Sequence, residues 1–168
     1  MKKKIYQKIV LASLVIFSIG CNVVELDEPG VPTNSKGDEI TEVSNGDVHA
    51  NDSISFRTLI SDSTSKIWDA SFFTILGISQ TCRFDDVMMF FHDGTYQYSS
   101  GPEFCDDFED IQRSRTGSWE IGYMNRTITF DKGNSNEYQA EVIGLSEDEL
   151  RLKGSYLGME IRGLYSKN

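Results

Sequence analysis

Tyr138-Gln139-Ala140-Glu141-Val142-Ile143-Gly144-Leu145-Ser146-Glu147-Asp148-Glu149-Leu150-Arg151-Leu152-Lys153 is the stretch that decides the fold. Tyr138, Ala140 and Val142 alternate with Gln139 and Glu141, and Leu150 and Leu152 alternate with Glu149, Arg151 and Lys153. A period of two puts the apolar side chains on one face of a strand and the charged ones on the other. Ser146 to Asp148 lie between the two runs and are turn formers.

The pattern repeats on both sides. Trp119, Ile121 and Tyr123 alternate with Glu120 and Gly122; Leu157, Met159 and Ile161 alternate with Gly158, Glu160 and Arg162. Asp93-Gly94, between Phe91 and Tyr96, is a hairpin turn in which glycine accepts a positive φ. Asn125 and residues 131–136 mark further turns. Short strands at this spacing indicate an all-β sandwich or barrel. Eight strands are expected, over 66–75, 86–91, 95–99, 117–123, 126–131, 137–144, 149–154 and 157–165. Their short links favour an up-and-down order, and closing the sheet removes its edges. The expected fold is therefore all-β: a small antiparallel up-and-down barrel of about eight strands over residues 53–168.

Val87 to Phe91 is apolar on both faces, so its outer side needs cover. The expected cover is the 53–62 segment, as a short helix or a turn, where Phe56, Leu59 and Ile60 would share a face at helical spacing. Ser53 is its candidate cap. Residues 22–52 hold Pro29, Pro32, Gly30, Gly37, Gly46 and many acids. So few apolar side chains cannot offset the entropy of ordering, and a flexible acidic tether over 21–52 is expected.

The first residues carry a different signal. Lys2, Lys3, Lys4 and Lys8 precede an apolar run from Ile9 to Ile19, which ends in Phe17-Ser18-Ile19-Gly20-Cys21. The run is roughly half the ~20 residues that a spanning helix needs. The layout is that of a secretory signal over residues 1–20. It resembles the lipobox of bacterial lipoproteins, with Gly20 as the small residue at the cut and Ser18 where that family usually has leucine. The resemblance implies a diacylglycerol on Cys21 and cleavage before it. The mature chain would then be held to a membrane by lipid chains, each buried methylene contributing about 0.8 kcal/mol. The acids Glu25, Asp27 and Glu28 just after the anchor read as a surface-export signal or as a solvated linker.

Charge narrows the partners. The chain of 168 residues has a formal charge of −10, and removing residues 1–20 leaves 12 basic against 26 acidic side chains, or −14. Such a chain is repelled by phosphate backbones, so nucleic acid is not expected as a partner. Cys82 and Cys105 form an even pair in an exported chain and read as a disulfide. Closing that loop stabilises by roughly 3.5 kcal/mol in the chain-entropy model. No metal site is expected, because neither cysteine has a histidine or second cysteine at ligand spacing.

Over about residues 58–168 the chain resembles the lipocalin-like lipoprotein domains of Gram-negative bacteria. The likeness rests on Ser65-Lys66-Ile67-Trp68, Cys82-Arg83-Phe84-Asp85-Asp86, Phe90-Phe91-His92-Asp93-Gly94-Thr95-Tyr96, Cys105, Gly117-Ser118-Trp119 and Leu145-Ser146-Glu147-Asp148-Glu149-Leu150, in that order. It implies an outer-membrane lipoprotein facing the periplasm or the cell surface, and a ligand-carrying role.

Neither His49 nor His92 has a serine or cysteine nucleophile in a motif, so no catalytic residue and no cofactor are expected. Asp85-Asp86 is expected to end a loop and cap backbone amides. Glu103 to Asp110 carries five acids in eight residues, but it fits no calcium-loop template; it reads as a solvated loop, with a weak calcium site as the alternative. The informative set is aromatic. Trp68, Tyr96, Tyr98, Trp119, Tyr123 and Tyr138 occupy inward positions, where they either fill the barrel or line a pocket for a small apolar or amphipathic ligand. Two functions follow: a non-enzymatic binding protein, or an accessory module with a filled core that docks on an outer-membrane protein. Interior volume separates them.

Overall fold

The computed structural model of the chain describes residues 39–103, 105 and 114–168. The expected signal segment, Cys21, residues 22–38 of the expected tether and most of the acidic 103–110 loop lie outside the described residues. A helix, α1 (Ser53–Ser61), precedes nine strands: β1 (Ser65–Ile75), β2 (Ile78–Ser79), β3 (Val87–Phe91), β4 (Thr95–Ser99), β5 (Ser114–Gly122), β6 (Thr127–Phe130), β7 (Tyr138–Leu145), β8 (Glu149–Tyr156) and β9 (Met159–Lys167). β2 is a two-residue flap on the end of β1. The remaining eight pair antiparallel in chain order, and β9 returns to β1 through Ala70↔Tyr165 and Ile75↔Ile161. The sheet is a closed antiparallel barrel of eight strands, as the alternating pattern predicts.

One end of the barrel is plugged. Asp52 caps α1, its carboxylate accepting from the Ser55 amide at 2.7 Å while the Ser55 hydroxyl closes the capping box. The cap is thus Asp52, not Ser53, because Asp52 is the last residue in extended backbone. Phe56 and Ile60 are fully buried in the main core, together with Trp68, Phe90, Trp119, Ile128, Val142, Leu145 and Leu150. α1 therefore stops the barrel end instead of covering the outside of β3. The carbonyls at its C-terminal end are met from β1: Lys66 Nζ donates to Leu59 O at 2.9 Å and Trp68 Nε1 to Ile60 O at 2.8 Å. Burial lowers the Lys66 pKa, although Asp62 nearby acts the other way.

Two register shifts create a second apolar layer. Between Ala70 and Phe72, and between Val142 and Gly144, the pairing slips by one residue. A slip reverses which face the following side chains take. Phe72 consequently joins Ile143 and Leu164 in an outer cluster, while Phe73 and Ile75 line the inside and Leu145 turns into the main core.

The outer cluster is covered by residues 39–50, which sequence reading assigns to the flexible tether. Ile40 and Val43 are buried there. The Gly46 amide donates to Ile143 O at 2.8 Å, Arg151 Nη1 to Ser44 O at 2.9 Å and Arg162 Nη1 to Val43 O at 2.9 Å. The folded part begins at least as early as Ile40, not at residue 53. Two apolar side chains in an acidic segment are enough, since burying each contributes about 1.5–3 kcal/mol.

Candidate functional site

Away from α1 the barrel interior is hollow. A cavity of about 270 Å³ opens at the end where β1, β8 and β9 meet their hairpins. Its walls are Phe73, Ile75, Met88, Phe130, Ala140, Leu152 and Ile161, with the tyrosines Tyr96, Tyr98, Tyr138, Tyr156 and Tyr165 and the guanidinium groups of Arg83 and Arg115. Two glycines keep the β8–β9 wall thin. A Cβ at Gly154 would lie 1.7 Å from Tyr138 Oη, and one at Gly163 would lie 2.6 Å from Tyr165 Cε2. Side chains there would fill the space the tyrosine rings occupy.

Two ion pairs stand in the wall. In the first, Arg83 Nη1 reaches Asp86 Oδ2 at 3.1 Å and the Tyr98 hydroxyl donates to the same oxygen at 2.7 Å. The Arg83 guanidinium lies 5.2 Å from the Phe73 ring centre. Burial pushes the Asp86 carboxyl up, against the Tyr98 hydrogen bond and Arg83, which act the other way. Asp86 Oδ1 and Arg83 Nε are buried and have no protein partner. In the second, Arg115 Nη2 pairs with Asp131 Oδ2, which also accepts from Tyr96 Oη at 2.9 Å, while Asp131 Oδ1 accepts from the Ser118 amide at 3.1 Å. Burial raises the Asp131 carboxyl, but these donors outweigh it and hold it below the usual carboxylate range. Gly117 makes room, since a Cβ there would sit 2.0 Å from Asp131 Oδ1.

Burial raises the phenols of Tyr98, Tyr138 and Tyr165 and favours their neutral form; of the three, Tyr98 donates within the wall, to Asp86. Cys82 and Cys105 form a disulfide with a Cα–Cα distance of 5.5 Å. It ties the 3-10 turn Thr81–Arg83 to the β4–β5 connection and so fixes the base of Arg83 at the mouth. Asp85 Oδ2 accepts from the Glu103 amide at 2.9 Å, a second tie between the same segments.

The six aromatics singled out from sequence divide. Tyr96, Tyr98 and Tyr138 line the cavity. Trp68 and Trp119 do not: both are buried in the plugged end, where Trp119 Nε1 donates to Phe91 O at 2.9 Å. Tyr123 lies outside the cup, in a 3-10 turn, with its hydroxyl on Asn51 O at 2.7 Å and its ring edge-on to Phe56. Alternation marks inward positions along a strand but not depth, and these three sit at the stoppered end. Sequence reading missed Arg83, Arg115, Phe73, Tyr165 and the two glycines. Tyr165 and Gly163 continue the inward alternation of Ile161 and were readable from it.

His92 sits just past the end of α1, its Nδ1 lying 2.7 Å from Asp62 O and 3.1 Å from Ser61 Oγ. His49 is exposed on the outer strap, its amide donating to Leu145 O at 2.9 Å. Among the described residues no three His, Cys, Asp or Glu side chains gather to hold a metal ion. An apolar cup with paired charges and neutral hydroxyls in its wall is suited to hold an amphipathic molecule. A scan against protein-family models finds no match to this chain, and a search of the curated proteins finds none either.

Proposed function

We propose that this chain is a membrane-anchored, lipocalin-like carrier: a lipoprotein, held by lipid on Cys21 at an outer membrane, that keeps one small amphipathic molecule in its cup without transforming it. The observation that carries the reading is the cavity of about 270 Å³, stoppered at one end and open at the other. Its size is at the lower edge of small-molecule sites, which run from about 300 Å³ upward, so the ligand is small. The apolar body packs against Phe73, Met88 and Leu152. A polar end meets the hydroxyls of Tyr98, Tyr138 and Tyr165 near Arg83, whose Nε wants an acceptor.

Native mass spectrometry of the purified chain tests this, together with titration of a fluorescent apolar probe. A co-purifying small molecule, or probe binding at one per chain, is the expected result. If neither appears, the carrier reading falls. The second reading, an accessory module for an outer-membrane protein, draws on the plugged half, where Trp68, Trp119, Phe90 and Phe56 leave a solid core. Crosslinking in cells that returns one stable protein partner, with no probe bound, selects that module.

A further inference from the structure

Two hairpin tips stand side by side at the cavity mouth. Ile75-Leu76-Gly77-Ile78 joins β1 to β2 and Tyr156-Leu157-Gly158-Met159 joins β8 to β9, and neither tip contains a charged residue. The Leu76 amide donates to Glu160 O at 2.8 Å, so the two tips belong to adjacent strands. Leu76, Ile78 and Leu157 are 61%, 67% and 80% exposed, while Ile75, Tyr156 and Ile161 just behind them line the cavity. Both leucines hold left-handed backbone, with φ of 52° and 50°. That region disfavours a bulky side chain and favours glycine or asparagine. Leucine is thus found twice where the turn itself asks for something else.

We propose that this rim docks on a zwitterionic lipid surface, with Leu76, Ile78 and Leu157 in the acyl layer, so that the cup exchanges its ligand directly with the bilayer. The inference rests on the carrier reading. A lipid surface fits better than a protein because the occupant must cover the tips and also accept an apolar molecule leaving between them. Charge agrees. Behind the tips Lys153 Nζ lies 3.2 Å and Arg162 Nε 2.9 Å from the Glu160 carboxylate, a mixed cluster at headgroup depth. Its cations suit phosphate and its carboxylate suits the ammonium of the same headgroup. Anionic lipid is disfavoured by the net charge, −10 for the full chain and −14 without residues 1–20.

The test uses the full chain with Ile78→Trp, mixed with phosphatidylcholine vesicles whose acyl chains carry bromine. Met124→Trp, an 89% exposed site beside the plugged end, is the control. After subtraction of the native Trp68 and Trp119 emission, the indole added at the rim is expected to lose at least half its intensity. The indole at the control site keeps its own. Adding Leu76→Asp and Leu157→Asp to the rim variant should bring its quenching down to the control level, and phosphatidylglycerol vesicles should quench less than phosphatidylcholine. No quenching at the rim, or equal quenching at both ends, overturns the proposal. So does rim emission that changes with protein concentration in the absence of vesicles, which assigns the face to a second copy of this chain. Probe binding measured without vesicles reports on the carrier reading separately: a bound probe without rim quenching sinks the docking alone, and rim quenching without a bound probe sinks the carrier.

Discussion

The Tyr98 hydroxyl donates to Asp86 Oδ2 across 2.7 Å in the wall of the cup, and Arg83 Nη1 meets the same oxygen at 3.1 Å. One carboxylate oxygen thus takes both donors, while its twin, Oδ1, is buried with no protein partner. The ionised form of Asp86 is held well on one side and poorly on the other, and burial wins.

That balance gives a pH dependence of definite sign. The folded pKa of Asp86 lies above its ordinary value of 3.8, so the native state binds more protons than the unfolded chain between the two. Its contribution to stability is fully present below about pH 3.8 and is lost as pH rises through the folded pKa. Asp86→Asn cannot titrate. The stability of the natural chain minus that of the variant, from urea unfolding at a series of pH values, should therefore fall as pH rises above 3.8. Asp131 shifts the other way, contributing above its ordinary pKa and losing that contribution on acidification, but it is common to both proteins and cancels. A difference that stays flat with pH contradicts the burial argument.

Gly154 controls the volume of the cup. With Tyr138 Oη only 1.7 Å from where a Cβ would stand, Gly154→Ala must turn the ring aside, and the open direction is the cavity. The barrel itself changes little, so the stability loss should stay within the 1–3 kcal/mol usual for overpacking. Affinity for the apolar probe should drop about tenfold or more, equivalent to roughly 1.4 kcal/mol. Unchanged affinity in a fluorescence titration would place the bound molecule elsewhere.

The strap over the outer cluster contributes to stability without touching the cup. Ile40 and Val43 are 8% and 3% exposed against Phe72, Ile143 and Leu164. Ile40→Ala with Val43→Ala should lower unfolding free energy by about 2–5 kcal/mol, by loss of buried methylenes. Probe binding should be preserved, because Phe72 and Leu164 face away from the cavity. Loss of less than 0.5 kcal/mol would mean the strap adds nothing to the fold.

Much of the fold was readable because antiparallel strands with one wet face announce themselves by period two. Tyr138 to Val142 and Glu149 to Lys153 fall inside β7 and β8. Reading failed where a local rule was broken. Leu157-Gly158 continues the alternation of Met159 and Ile161, yet the pair forms the turn. The register slips near Ser71 and Ile143 leave no mark in composition, so the outer cluster and the strap that covers it were invisible. The lining of the cavity was legible in part. Tyr96, Tyr98 and Tyr138 were named from their faces, but Trp68 and Trp119 share those faces at the plugged end. Arg83 and Arg115 reach the cavity from the 3-10 turn Thr81–Arg83 and the first residues of β5, outside the strand boundaries that alternation suggested.

The two leucine tips yield a prediction in which stability and docking move in opposite directions. Leu76 and Leu157 each sit before a glycine of positive φ, Gly77 at 77° and Gly158 at 80°. Two consecutive positive φ values are what a tight hairpin turn requires, and Asn-Gly satisfies it best. Left-handed backbone costs a residue such as leucine roughly 1–2 kcal/mol, less for asparagine. Being 61% and 80% exposed, the two side chains lose little burial when replaced. Leu76→Asn with Leu157→Asn should therefore raise the unfolding free energy, by about 0.5–1 kcal/mol at each turn. The same pair should weaken association of the rim with phosphatidylcholine vesicles, since two apolar side chains leave the acyl layer. If the leucines were there for the fold, the variant would unfold more easily. A chain made more stable and less able to dock assigns them to the surface they meet.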